Sequence, residues 1–126
     1  MKLSFDFDGT LTRKDVQAFA KQLIDDGHEV WIVTSRFDDA EGLAKNWNWI
    51  PTQNLKLFKV AQELGIPESR IKFTNMIPKI EFLLGKGFSF TVHNHVNEYQ
   101  GKIHYAVFQY TLVNLVNEQI KIIKND

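Results

Sequence analysis

The sequence predicts an α/β domain built on a mainly parallel sheet of five strands, and three observations carry that reading. Short apolar or alternating runs recur at 2–8, 29–33, 71–74, 88–92 and 103–108. Segments with apolar residues at helical spacing separate most of them, and Gly or Pro marks several of the changes from one pattern to the other. With 126 residues the chain is long enough for one well-buried core and too short for two ordinary domains, so residues 1–126 are read as a single domain.

In the first run, KLSFDFD, Leu3, Phe5 and Phe7 alternate with Ser4, Asp6 and Asp8, as a strand over 2–8 requires. From Thr12 the spacing changes: Val16, Phe19, Ala20, Leu23 and Ile24 define a helical face. Thr12, with Asp15 three residues on, is expected to cap that helix and Gly27 to end it. EVWIV, bounded by Gly27 and by Thr34-Ser35, suits a strand buried on both faces. A helix near 38–47 leads into WNWIP, where Pro51 argues against continuation. A further helix is expected over 54–64, with Leu57, Val60, Ala61 and Leu64 apolar and Gly65 closing it. Strand 71–74, a helix from Pro78 to about Leu84, and strands 88–92 and 103–108 follow. The C-terminal helix is apolar over a wide arc, through Leu112, Val113, Leu115, Val116, Ile120 and Ile123. Such a helix docks on the sheet and leaves a margin for a homodimer.

Composition excludes several classes. Lys plus Arg equals Asp plus Glu at 15 each, so there is no overall positive field for a nucleic acid, although a local basic groove stays open. No stretch approaches the roughly 20 apolar residues of a membrane span. Asp6 and Asp8 interrupt the apolar run where a leader peptide would need it, and cysteine is absent. A cytoplasmic protein with no membrane partner is expected.

A parallel sheet binds ligands beyond the carboxyl ends of its strands, where Asp6, Asp8, Thr34 and Ser35 fall. A carboxylate there can attack phosphorus if a divalent cation neutralises the phosphate and a second group protonates the leaving oxygen. Side chains at i and i+2 of an extended chain stand roughly 7 Å apart on one side, so Asp6 and Asp8 can flank one phosphorus. Gly9 permits the turn that brings backbone N–H groups to the phosphate oxygens.

The run Asp6-Phe7-Asp8-Gly9-Thr10 after an apolar strand resembles the first motif, D-x-D-G-T, of the haloacid dehalogenase-like (HAD) hydrolase superfamily. The resemblance implies a three-layer Rossmann-like domain, here without room for the inserted cap domain that many members carry. It implies Asp6 as nucleophile and magnesium ligand. Asp8 is then general acid and base, offering its backbone carbonyl to the metal, and Gly9 and Thr10 meet the substrate. Thr34, ending VWIVT, matches the second motif, whose hydroxyl holds a phosphate oxygen. Ser35 can substitute for it, and Arg36 is placed to meet a substrate anion bidentately. The plainer alternative is that Thr34 ends a strand and Ser35 caps the next helix. Lys79, directly after Pro78, matches the third motif and would pair with Asp6 and the phosphate. Its rival Lys86 lies near that helix's C-terminal end, where a cation favours the dipole.

The fourth motif departs from the family pattern. Where acidic residues normally complete the magnesium site, the chain reads His93-Asn94-His95, expected as a loop after strand 88–92. Asp6, the Asp8 carbonyl and the Asn94 amide oxygen can still hold Mg2+, with Glu98 reaching through water. Alternatively His93 and His95 join Asp6 in a site for Mn2+, zinc or another transition ion. The function so implied is a metal-dependent phosphomonoester hydrolase acting on a small or macromolecular phosphorylated substrate through an aspartyl-phosphate on Asp6. Its alternative is a catalytically weak or inactive domain that binds a phosphorylated ligand or a protein partner, with a nucleic-acid end phosphatase less favoured. Among the other polar and aromatic residues, His28 and His104 fit surface or hydrogen-bonded positions and Trp31 the core. Trp47 and Trp49 either line the crevice or pack under a loop.

Overall fold

The computed structural model describes residues 1–94 and 103–107. Over these it is an α/β arrangement with a mainly parallel sheet. The elements are β1 (Lys2–Phe5), α1 (Lys14–Asp25), β2 (Glu29–Thr34), α2 (Asp39–Ala44), α3 (Ile50–Leu64), β3 (Ile71–Phe73), α4 (Lys79–Leu83), β4 (Phe90–Asn94) and β5 (Ile103–Val107). Four strands lie parallel in the order β3-β2-β1-β4, and β5 runs antiparallel along β4. The chain moves outward from β1 to β2 and β3, then returns to place β4 on the other side of β1. The strand order therefore reverses at β1, and a crevice opens beyond the carboxyl ends of β1 and its neighbours at such a reversal.

Alternation along β2 accounts for two apolar clusters. Val30 and Ile32 join Leu3, Phe5, Phe7, Leu11 and Val92 with the apolar faces of α1 (Val16, Phe19, Ala20, Leu23) and α3 (Leu57, Val60, Ala61, Leu64). Val33 joins Leu83 and Phe88 in a smaller cluster against which Trp31 and Phe82 pack. Successive strand residues thus feed opposite faces of the sheet. Leu3, Phe5 and Phe7 are fully buried, and each such side chain contributes about 1.5–3 kcal/mol by leaving water. Trp31 is only partly buried, and its indole N–H reaches Glu29 Oε2 at 2.7 Å.

Several expected boundaries move. The first strand ends at Phe5 instead of continuing to Asp8, because the Leu11 and Thr12 N–H groups close a wide turn onto the carbonyls of Asp6 and Phe7. Thr12 does not cap α1. Its N-cap is Arg13, which makes no side-chain cap bond, and Asp15 accepts from the Val16 N–H instead. Asp38, not Ser35, caps α2, accepting from Glu41 N–H at 2.7 Å. Pro51 does not delay the next helix, because it occupies the first turn of α3, where a missing N–H costs nothing. The fourth strand is shifted toward the C-terminus, so His93 and Asn94 are its last residues, in register with His104 and Ile103, and not part of a loop. His95, Glu98 and the expected C-terminal helix lie outside the described residues. Among the described residues no helix is long and apolar enough to cross a membrane.

The contact that sets α2 against α3 is unusually close. A Cβ built on Gly42 would lie 2.6 Å from Cβ of the buried Ile50. Gly42→Ala must therefore push α2 off α3, and a loss of about 1–3 kcal/mol is expected, read as a lower urea midpoint at unchanged m-value.

Candidate active site

Asp6 stands at the carboxyl end of the central strand. Its backbone is extended (φ −67°, ψ 151°), and its N–H donates to the Val92 carbonyl of β4 at 2.9 Å. Phe7, fully buried, draws the following turn into the core, and Asp8 (φ −64°, ψ 126°) and Gly9 (φ 71°, ψ −1°) depart from its helical geometry. A positive φ at that point is comfortable only for glycine. The turn presents Asp6 and Asp8 at the strand end on either side of the buried phenyl ring.

Each carboxylate is met by a cation from another element. Asp6 Oδ1 accepts from its neighbour's N–H (Phe7, 3.0 Å) and from Lys79 Nζ at 2.5 Å, with the two side chains 18% and 27% exposed. Lys79 is delivered by the first residue of α4. Asp8 is 58% exposed and takes both arms of the Arg36 fork, Nη2 to Oδ1 at 2.6 Å and Nε to Oδ2 at 2.9 Å. Bidentate charge-assisted pairing of this kind fixes orientation as well as energy. The guanidinium lies 5.0 Å from the Phe7 ring centroid, so the same ring supports it from below.

The far side of Arg36 is also held. Nη1 donates to the Gln53 carbonyl at 2.9 Å and to Asn54 Oδ1 at 3.3 Å. Asn54 is fully buried, and its Nδ2 donates to the Phe37 carbonyl and to Asp39 Oδ1, each at 2.9 Å. A chain of hydrogen bonds therefore runs from α3 through Arg36 to Asp8. Thr34, also buried, accepts the Arg36 N–H on its hydroxyl at 3.2 Å. The loop after β3 closes over the loop after β2: Thr74, Asn75 and Met76 N–H groups donate to the carbonyls of Thr34, Arg36 and Ser35 at 2.8, 3.2 and 2.8 Å. Asn75 (φ 54°) and Met76 (φ 67°) adopt left-handed backbone to do so, and Asn75 Oδ1 accepts from Asp38 N–H at 3.0 Å.

The structure brings Asp6, Asp8, Arg36 and Lys79 together at the carboxyl ends of β1 and β2, with Gly9 in the turn and Thr34 at the strand end. Lys86 is elsewhere, its ammonium 5.4 Å from the Phe82 ring. Sequence reasoning missed Gln53, Asn54 and Asn75. A polar residue among the apolar positions of α3 was the only trace of Asn54, and Asn tolerance of left-handed backbone the only one of Asn75. Thr10 is fully buried, and its hydroxyl has no hydrogen-bond partner among the described residues. The hydroxyl of buried Thr74 is in the same state.

Two carboxylates and two cations leave this cluster with no net formal charge. Asp6 and Asp8 offer the hard oxygens that magnesium takes, but among the described residues no three His, Cys, Asp or Glu side chains converge. The backbone of Asn94 ends β4 at the same edge, two residues past the Val92 that pairs with Phe5. By themselves the two carboxylates do not make up a metal site, and a magnesium ion there would need its remaining ligands from water and phosphate. His93 lies in β4, and His95, its partner in the transition-ion alternative, lies outside the described residues. Set against protein-family models, curated proteins and solved structures, the chain matches none.

Removing Asn54 leaves an Arg36 N–H and the Phe37 carbonyl without partners in the interior. Asn54→Ala is expected to cost about 1–3 kcal/mol in denaturant unfolding. Thr10→Val removes a buried hydroxyl without a partner at nearly constant volume. The same measurement should then show a neutral effect or a gain of up to about 1 kcal/mol, where ordinary core substitutions lose stability.

Proposed function

We propose that this chain is a HAD-like, metal-dependent phosphomonoester hydrolase that works through an aspartyl-phosphate on Asp6. The observation that carries the reading is the position of the Asp6 carboxylate. It stands at the end of the central parallel strand, where the strand order reverses, with the Lys79 ammonium on Oδ1 and the Asp8–Arg36 pair alongside. A Rossmann-like three-layer domain of five strands accounts for the two apolar clusters that flank β2, and it places every residue of the cluster at one edge.

The Asp6 carboxylate and the Asp8 backbone carbonyl would hold the divalent cation, which when bound would supply positive charge to the phosphoryl oxygens. An Asp6 oxygen attacks phosphorus, the bond from phosphorus to the leaving oxygen breaks, and Asp8, once it has left Arg36 and taken up a proton from water, gives that proton to the leaving oxygen. Asp8 then takes a proton from water as the water attacks the aspartyl-phosphate, and inorganic phosphate leaves with Asp6 regenerated. Lys79 keeps Asp6 oriented and shields it from the charge of the incoming phosphate.

Arg36 has two tasks that cannot be performed at once. With both Asp8 oxygens accepting from its fork, the Asp8 carboxylate faces the guanidinium and not a leaving group. Arrival of a phosphate dianion gives the guanidinium a competing bidentate partner and releases Asp8 for proton transfer. The Arg36 contact to substrate and the Arg36 contact to Asp8 are thus successive states of one residue.

A second reading, a domain that binds phosphorylated ligands without turning them over, draws support from the charge balance already reached by the four side chains and from the absence of a third carboxylate among the described residues. Release of phosphate from p-nitrophenyl phosphate with Mg2+, Mn2+ or Zn2+ separates the two. Metal-dependent turnover is expected, abolished in Asp6→Asn and lowered by roughly 10²- to 10⁴-fold in Asp8→Asn. Wild-type turnover in Asp6→Asn overturns the mechanism. Phosphate or vanadate binding without turnover under any metal establishes the binding domain instead.

A further inference from the structure

We propose that Trp47 and Trp49, with Phe37, form a subsite for a planar aromatic group on the phosphorylated substrate, so that the preferred substrates are phosphomonoesters carrying a flat ring. The proposal rests on the phosphatase reading for the position of the phosphate and adds the class of the group attached to it.

Three observations lead there. First, Trp49 is 59% exposed although it is a large aromatic side chain. One face stacks on Trp47, with ring centroids 5.8 Å apart and planes inclined at 25°, and most of the remaining ring meets solvent. Packing of the loop is already served by half-buried Trp47, whose ring receives the Phe37 ring at 5.0 Å and 85°. Trp49 adds little to that burial, but it extends the stack outward by one ring.

Second, the stack is tied to the candidate site through two paths, one along the chain and one through hydrogen bonds. Phe37 follows Arg36 directly, and its carbonyl is held by Asn54, which also holds Arg36. On the other path the Gln53 N–H donates to the Trp49 carbonyl at 2.9 Å, while the Gln53 carbonyl accepts from Arg36 Nη1. Trp49 and Gln53 stand one helical turn apart at the start of α3, so the backbone that carries the aromatic step also carries a support of the guanidinium that grips Asp8.

Third, the cation beside the step is already paired, so the step offers a flat face for a ring and leaves the anionic group to the candidate site. Lys45 Nζ lies 5.7 Å from the Trp47 centroid and 5.8 Å from that of Phe37, with Glu41 at 3.6 Å as its ion-pair partner. The ammonium is therefore held beside the rings without being buried. Stacking of a flat ring on an exposed indole is sequence-tolerant and substantial, since every such ring presents a π-face. It favours aromatic phosphates over aliphatic ones without demanding a particular ring.

Intrinsic fluorescence and kinetics test this together. Adenosine 5′-monophosphate and phenyl phosphate are expected to quench tryptophan emission saturably, while ribose 5-phosphate, equal in charge but without a ring, leaves it unchanged. In Trp49→Ala the quenching is lost. The same variant raises KM for phenyl phosphate roughly 5- to 100-fold at unchanged kcat and leaves KM for ribose 5-phosphate as it was. Equal KM changes for both substrates, no change for phenyl phosphate, or wild-type quenching in Trp49→Ala each overturn the subsite. Quenching by unphosphorylated adenosine as strong as by its monophosphate shows a ring site unconnected to the phosphate, and also overturns it. If no phosphate ester is hydrolysed, the enzyme reading fails, yet the titrations still decide the subsite, so the two failures are distinct.

Discussion

A carboxylate largely withdrawn from water at the end of a buried central strand is costly unless a cation is brought to it. Asp6 directly follows a strand flanked on both sides, and its own side chain is largely withdrawn from water. An ion so placed is costly unless paired and hydrogen-bonded. That requirement determines where other elements go. The first residue of α4 must reach across to Asp6, and the end of β2 must turn so that Arg36 faces Asp8. The beginning of α3 must then supply the carbonyl and amide oxygens that complete the guanidinium. The buried Asn54 is the point at which the helical layer is tied to the charged cluster. Packing supplies most of the favourable free energy of the domain, but charge compensation decides the relative placement of its loops.

The same compensation shapes the chemistry proposed for the site. A cluster whose formal charges cancel does not attract an anion by net charge. A phosphate dianion gains a place by replacing a carboxylate as partner of Arg36, and the displaced carboxylate is the one assigned to proton transfer. Substrate recognition and readiness of the acid–base group are then one exchange of hydrogen bonds. The supports of Arg36, namely Gln53, Asn54 and the Phe7 ring, do not depend on Asp8, so the guanidinium keeps its position while its partner changes.

Much of the scaffold was legible because it rests on local patterns. The short β-branched and aromatic run of β2 and helical spacing in α1 and α3 located those elements, and the Asp-x-Asp-Gly turn pointed to the strand end where the charges gather. Its spacing misled in one respect. Asp6 and Asp8 were read as strand neighbours, whereas the wide turn beginning at Phe7 places them, since burial of that ring competes with extension of the strand. Pro51 was read as a barrier because its position within the helix, not its identity, decides its effect. The displacement of β4 toward Asn94 reflects pairing with β1 and β5, a long-range term that the run FSFTV does not encode. Asn54 and Asn75 were invisible because their partners lie 15 to 37 residues away in the chain.

The outer strand β3 has a consequence for how such molecules behave in company. It is only three residues long, and its middle residue, Lys72, is exposed. A sheet margin invites a second chain to lay a strand against it in proportion to the length of bare, uncharged backbone on offer. Here the margin is brief and carries an ammonium group at its centre. Lateral fusion of sheets between molecules along this border is discouraged, and concentrated solutions of the protein are protected from one common route to fibrous precipitates.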